Sequence, residues 1–252
     1  MADEFLRIQP MASAEETEGY RRLRVLLERC PIPAGEILAN LGLYLTRASL
    51  SRILLMEHLY REAIAVHGIL VEFGVRWGQN LALLASLRNI LEPHNYSRRI
   101  VGFDTFTGLS GVSTQDGQGE AVREGGYAVG EDYRGYLDEI MAAHELLAPR
   151  SHLRRFELVQ GDVRETLPEY FRRHPETIIA LAYFDLDLYE PTRSCLEQIR
   201  PFLTKGSVLG FDELTLAAFP GETVALREAW GLASLRLKRH PAASHESYVV
   251  LE

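Results

Sequence analysis

Cysteine is scarce in this chain. Only Cys30 and Cys195 occur, far apart and each beside helix-like sequence, so neither a disulfide framework nor a cysteine-bound zinc organises the fold. A reducing cytoplasm is the expected compartment. Basic runs are missing and the net charge is -8; nucleic acid is gripped by concentrated lysine and arginine, so no nucleic-acid partner is expected. No apolar stretch approaches transmembrane length, and MADEFLRIQP lacks the positive start and apolar block of a signal peptide. No membrane partner is expected either. The 8 histidines show no H-x-x-H or H-E-x-x-H spacing; His58 and His67 lie on helical sequence and read as surface or core residues. No G-x-S-x-G occurs, and Cys195 reads as a small apolar packing residue. Internal repeats and low-complexity blocks are absent as well.

What the chain does have is apolar content, 46% of its residues, enough for a substantial core in one α/β domain with additions. Residues 1–66 carry apolar positions at helical spacing, as in YRRLRVLLERC and LSRILLMEHLYREAIAV, which predicts an N-terminal helical extension or lid. Over 67–252 the rhythm changes. Short β-rich runs alternate with helical ones: GILVEFGV then NLALLASLRNIL, RIVGFDTF, FELVQGD then VRETLPEYFRR, IIALAYFDLD then PTRSCLEQIRPFL, and GSVLGFDEL then TVALREAWG. Apolar runs separated by helices are what a doubly covered parallel sheet requires. From about 108 to 147 a polar, Gly-rich insertion lacks clear periodicity and suits a mobile loop. Its Tyr127, Tyr133 and Tyr136 read either as stacking residues or as plain loop tyrosines. The tail LRLKRHPAASHESYVVLE predicts an antiparallel hairpin on the sheet edge.

Ligands of open parallel sheets gather beyond the carboxyl ends of the strands, so the residues that end each run carry the functional reading. The first ends in Glu72, with Gly74 and Gly78 allowing a tight turn or close backbone approach before a helix start at Asn80. This is E-x-G-x-x-x-G, not the G-x-G-x-x-G dinucleotide pattern, and an ordinary strand-to-helix turn reads equally well. The second ends in Asp104, which suits ribose hydroxyls or a solvated turn. The third ends in Gly161-Asp162, positioned for an adenine edge or as an N-cap. The last two end in Asp185 and Asp187, then Asp212 and Glu213. Four carboxylates on neighbouring strands repel one another in a partly dry pocket. A hard divalent cation such as Mg²⁺ resolves that repulsion; helix capping or ion pairing accounts for one or two of the acids, not all four.

The segments VEFGVRWGQN, GFDTFTGLS, GDVRETLP, FDLDLYEPT, GFDE and FPGETVALREAWG together resemble the TylF/MycF family of S-adenosylmethionine-dependent sugar O-methyltransferases of antibiotic biosynthesis. More distantly the chain is similar to the catechol O-methyltransferase class. The resemblance runs from about Thr46 to Trp230. It implies a Rossmann-like class I methyltransferase with a mostly parallel seven-stranded sheet, an antiparallel C-terminal hairpin and an N-terminal helical extension. It also implies roles: Glu72, Gly74 and Gly78 for the methionine part of S-adenosylmethionine, Asp104 with Thr105 and Phe106 for the ribose side, Asp162 near adenine, Asp185 against the cofactor, and Arg52 near the mouth. Asp185, Asp212 and Glu213 match the Mg²⁺ ligands, and Asp187 the general base. Where the family usually reads D-G-D and D-D, this chain has Asp185-Leu186-Asp187 and Asp212-Glu213, which changes the pocket's shape more than its chemistry.

The chemistry that follows is methylation of a deoxysugar hydroxyl, nucleotide-linked or on a finished glycoside. A Mg²⁺ ion would lower the hydroxyl's pKa and fix its direction, and Asp187 would take the proton. A catechol-like or other small hydroxyl is the alternative acceptor. An NAD-dependent oxidoreductase is disfavoured by the glycine pattern and by the lack of a Tyr-x-x-x-Lys pair. A non-catalytic binding protein of the same fold is disfavoured by the four rim acids. A homo-oligomer is expected.

Overall fold

The apolar runs become strands covered on both faces. A computed structural model describes residues 13–119 and 121–252; the opening MADEFLRIQP, on which the signal-peptide expectation rested, lies outside the described residues. The chain forms two compact units, one ending at Ile53 and the other running from Leu54 to Glu252.

In the first unit, α1 (Ala14–Glu28) begins with a capping box. Glu16 N–H donates to Ser13 Oγ at 3.2 Å while Ser13 N–H donates to Glu16 Oε2 at 3.0 Å, satisfying two donors that a helix start leaves open. Then come α2 (Ala34–Ile37) and a 3-10 stretch, Leu38–Tyr44, and none of the three buries a residue. Next, α3 (Arg47–Ala63) continues into the second unit, where its Leu55, Met56, Leu59, Tyr60 and Ala63 join the core.

The second unit runs β1 (Ile69–Phe73), α4 (Gln79–Leu91), β2 (Ile100–Asp104), α5 (Tyr133–Leu146), β3 (Phe156–Gln160), α6 (Val163–Arg173), β4 (Ile179–Phe184), α7 (Tyr189–Ile199), β5 (Leu203–Phe211), α8 (Gly221–Trp230), β6 (Lys238–Arg239) and β7 (Ser247–Val250). Its sheet has seven strands in the order β3-β2-β1-β4-β5-β7-β6. Strands β1 to β5 are parallel, β7 lies antiparallel to β5, and β6 closes the expected hairpin with β7. Period-two alternation splits the core. Leu70, Ile100, Leu181 and Val208 face α3, α4 and α5 on one side, while Val71, Val101, Ala182 and Leu209 meet Leu167, Leu196 and Leu226 of α6, α7 and α8 on the other. This double cover is why β1 and β4 bury every residue.

One expectation needs correction. The insertion at about 108–147 is not aperiodic throughout, because α5 occupies 133–146 with Leu137 and Met141 buried four residues apart. The glycine-rich segment before it dilutes that short signal. A buried triad fixes the helix: Glu145 accepts from Arg88 Nη2 at 2.8 Å and from Arg155 Nη2 at 3.2 Å. Residues 105–119 and 121–132 hold neither helix nor strand.

Candidate active site

The strand register brings the acids together. Phe184 pairs with Phe211, so the next residues, Asp185 and Asp212, leave neighbouring strands side by side. The ladder continues one step past the strand ends: Asp212 N–H donates to Phe184 O at 3.0 Å, and Asp185 N–H to Phe73 O at 2.8 Å. Gly74 stands where these tips cross. It has φ +86, and a Cβ there would lie 1.8 Å from the Asp185 carbonyl oxygen, so only glycine admits the crossing. The close approach expected at Gly74 is thus made by Asp185's own backbone. At Gly78, φ +76, a Cβ would strike Leu137 of α5.

Along β1, β2 and β3, the acids meet donors from the chain. Glu72 is buried, and its Oε1 accepts from Asn80 Nδ2 at 2.8 Å, tying the strand to the first turn of α4. Asp104 accepts three backbone amides: Val75 and Arg76 at 2.7 Å on Oδ2, and Phe106 at 2.6 Å on Oδ1. It therefore orders the β1–α4 turn whatever else it binds. Thr105 Oγ1 donates to Gly108 O at 2.7 Å and accepts from Thr107 N–H at 3.1 Å, and buried Phe106 sits at φ +56. Asp162 is the N-cap of α6, taking the Arg164 N–H at 2.9 Å, and it also pairs with the Arg164 guanidinium and accepts from Ser110 Oγ. That guanidinium holds its carboxyl below the usual range. Of the two readings left open for Asp162, the cap is the one realised in these contacts.

Along β4 and β5, the same residue types crowd together. Asp185, Asp187 and Glu213 each offer a carboxylate oxygen, all within 4.8 Å of one another. Two like charges at such a distance repel by on the order of 4 kcal/mol at an effective dielectric near 20. Asp187 and Glu213 are buried, while Asp185 is half-buried. Burial, then the charge of Asp212, pushes Asp187 up, although its hydrogen bond with Glu213 opposes the rise. Glu213 is pushed well up by burial and then by Asp187, and its Oε2 is buried without a hydrogen-bond partner. Asp187 also sits at φ +62, with Leu188 N–H reaching over it to Leu186 O at 2.6 Å. A strained three-residue turn of this kind persists only where its surroundings enforce it. Asp212, expected among the ligands, is not in the trio; its Oδ1 accepts from Tyr183 OH at 2.5 Å. Asp187, expected as base alone, is in it.

Three contributors carried no role in the sequence reading. Glu222, fully buried in the first turn of α8, accepts the Glu213 N–H at 3.2 Å and leaves Oε1 without a partner. Burial and the charges of Asp212 and Asp187 push it well up. Asp116, buried in the loop before α5, accepts from Ser113 N–H and Oγ at 2.7 and 2.9 Å and from Tyr189 N–H at 2.6 Å, pinning the loop to the start of α7. Arg76 lays its guanidinium 4.6 Å from the Tyr127 ring centroid. Tyr127 faces Phe219 at 6.3 Å, and its phenol is pushed up to about 12 by burial and then by Asp187 and Glu213. The loop therefore reaches the acids, which neither glycine content nor periodicity signals. Arg52 lies half-buried on α3 in the first unit.

The fold and the acid rim define a class, and residues 71–214 match the family model of a methyltransferase domain. The chain belongs to that family. At the level of particular proteins, it is similar to crystalline CalS11, calicheamicin methyltransferase, with 47% identity over 95% of this chain and 93% of that one, at a TM-score of 0.92. An apo structure of CalS11, described as a TDP-rhamnose 3'-O-methyltransferase of calicheamicin biosynthesis, matches with 44% identity over 97% and 98% of the two chains, at a TM-score of 0.85. A Streptomyces olivaceus protein, 8-demethyl-8-(2,3-dimethoxy-alpha-L-rhamnosyl)-tetracenomycin-C 4'-O-methyltransferase, is 28% identical over 177 residues, 68% of this chain. The match spans 62% of that relative's length. These similarities bear out the resemblance carried by the motifs. No helix among the described residues is long and apolar enough to cross a membrane.

Proposed function

We propose that the chain is an O-methyltransferase that moves a methyl group from S-adenosylmethionine to a hydroxyl of a deoxysugar in antibiotic biosynthesis, with a divalent cation such as Mg²⁺. The observation that carries this reading is the oxygen trio of Asp185, Asp187 and Glu213, with a partnerless Glu213 Oε2, at the carboxyl edge of a methyltransferase-family sheet. Hard carboxylate oxygens under mutual repulsion suit Mg²⁺. Relatives named for rhamnose-containing acceptors support the sugar.

Buried Asp187 and Glu213 would hold the cation, with Glu222 fixing the Glu213 backbone and Asp212 alongside. Such a cation would supply a lower pKa to the acceptor hydroxyl and a fixed direction. Half-buried Asp185 takes the hydroxyl proton, the reverse of the division of labour that the resemblance implies for Asp185 and Asp187. Bound S-adenosylmethionine supplies a methyl group on a sulfonium that is already a good leaving group. Glu72, Gly74, Gly78, Asp104, Thr105 and Phe106 frame its methionine and ribose, and Asp162 stands beside its adenine. Tyr127 and Phe219 keep water from the acids. The enzyme works in the cytoplasm, as its two free thiols favour, and as a homo-oligomer, for which exposed Leu38, Leu41 and Leu43 offer apolar surface.

Calorimetric titration with S-adenosylmethionine and Mg²⁺, followed by methyl-transfer assays over a panel of deoxysugar acceptors, tests the reading. Asp187→Asn is expected to lose cation binding; Asp185→Asn, which keeps an amide oxygen in the trio, is expected to weaken it less and to lose turnover. Full activity after exhaustive chelation rejects the cation, and the absence of transfer to any sugar hydroxyl rejects the acceptor.

A further inference from the structure

Arg76 is a cation beside an acidic site, and nothing so far gives it a task. It sits in the β1–α4 turn at φ +47, a left-handed conformation that strains any residue with a side chain. Asp104 enforces it by holding the Val75 and Arg76 amides on one oxygen. That backbone sends the guanidinium over Tyr127, 4.6 Å from its centroid, with the Trp77 ring 5.8 Å away. Tyr127 is itself at φ +61, so two strained residues from separate segments meet in this stack. Its side chain is exposed, and its charge reaches Asp187, whose carboxyl it holds down against the effect of burial. Stacking occupies the face of a guanidinium and leaves its edge donors free for an anion.

The acids explain why such a cation matters. Asp185, Asp187 and Glu213 gather at this rim in a chain with net charge -8, and whatever part of their charge a bound cation does not balance repels an anionic substrate. A neutral glycoside meets no such obstacle. An acceptor carrying phosphate next to its sugar needs a local cation, and the planar fork of arginine matches phosphate oxygens two at a time. Resting on the sugar-methyltransferase reading above, we infer that Arg76, stacked on Tyr127, determines specificity by taking the phosphate of a nucleotide-linked acceptor. Methylation then precedes the glycosyl transfer that consumes the product.

The test compares kcat/KM for a deoxysugar linked to a nucleoside diphosphate with that for the same sugar as a neutral phenyl glycoside, in wild type, Arg76→Gln and Arg76→Lys. Loss of a charge-assisted contact predicts a roughly 10- to 100-fold larger drop for the nucleotide-linked acceptor than for the glycoside in Arg76→Gln, mostly in KM. Arg76→Lys, which keeps the charge, is expected to recover part of it, and calorimetry is expected to show S-adenosylmethionine affinity preserved in both variants. Equal losses on both acceptors, weakened S-adenosylmethionine binding, or a wild type that methylates only the glycoside would each overturn the inference while leaving sugar methylation standing. A wild type that methylates no sugar in either form overturns the parent reading instead.

Discussion

The two halves of the strand-end rim use the same residue types to opposite ends. Under β1, β2 and β3, Glu72, Asp104 and Asp162 meet a side-chain amide, three backbone amides and an arginine. Under β4 and β5, Asp187, Glu213 and Glu222 mostly meet one another, and burial drives all three upward. A carboxylate saturated by donors organises the chain around it. One held against its neighbours stores repulsion that an external cation can relieve.

Glu213→Gln probes the frustrated half with the largest expected effect. Divalent affinity is expected to fall by more than the roughly 10- to 100-fold typical of an outer-shell partner, while the metal-free protein loses no stability by thermal unfolding, since a repelled charge has gone. The pH dependence fixes the sign. A carboxyl whose folded pKa lies above its unfolded value of 4.5 favours the fold below that value and loses this contribution as pH rises through the folded one. The stability of metal-free Glu213→Gln relative to wild type is therefore expected to grow with pH above about 4.5 and to shrink when Mg²⁺ is added to wild type. A mutant destabilised at every pH would erase the contrast between the halves.

Asp104→Ala probes the satisfied half. Leaving three amides without their acceptor is expected to cost about 1–3 kcal/mol in chemical unfolding, with Mg²⁺ affinity retained. A large loss of Mg²⁺ affinity would mean that the halves are not separable. The smallest effect belongs to Asp162→Asn, which keeps a capping oxygen and loses the charge paired with Arg164. Less than about 1 kcal/mol is expected for a pair that water still reaches, and a larger shift in the unfolding midpoint would give that ion pair a weight the contrast does not.

Much of this was legible before any coordinate. IIALAYF and GILVEF read as doubly covered strands because both faces of each are buried, and the acids that end them read as a site because parallel strands deliver their ends to one edge. The helix at 133–146 was not legible, since its apolar pair, Leu137 and Met141, follows a glycine-rich segment that swamps a short window. Glu222 was not legible either: a glutamate in a helix's first turn ordinarily faces water, and only the packing of α8 against the β5 tip puts it indoors. Asp116 and Tyr127 sit in sequence without periodicity, where nothing local says which strand end the loop will reach.

The sequence by itself determined the layers, the strand ends and the family, because alternation, continuous apolar runs and chain order are one-dimensional signals. The tertiary structure alone decided which acids are satisfied and which are left in conflict. Register and loop path set those distances, and a carboxylate's chemistry depends on the donors and charges within a few ångströms of it, whatever their distance along the chain.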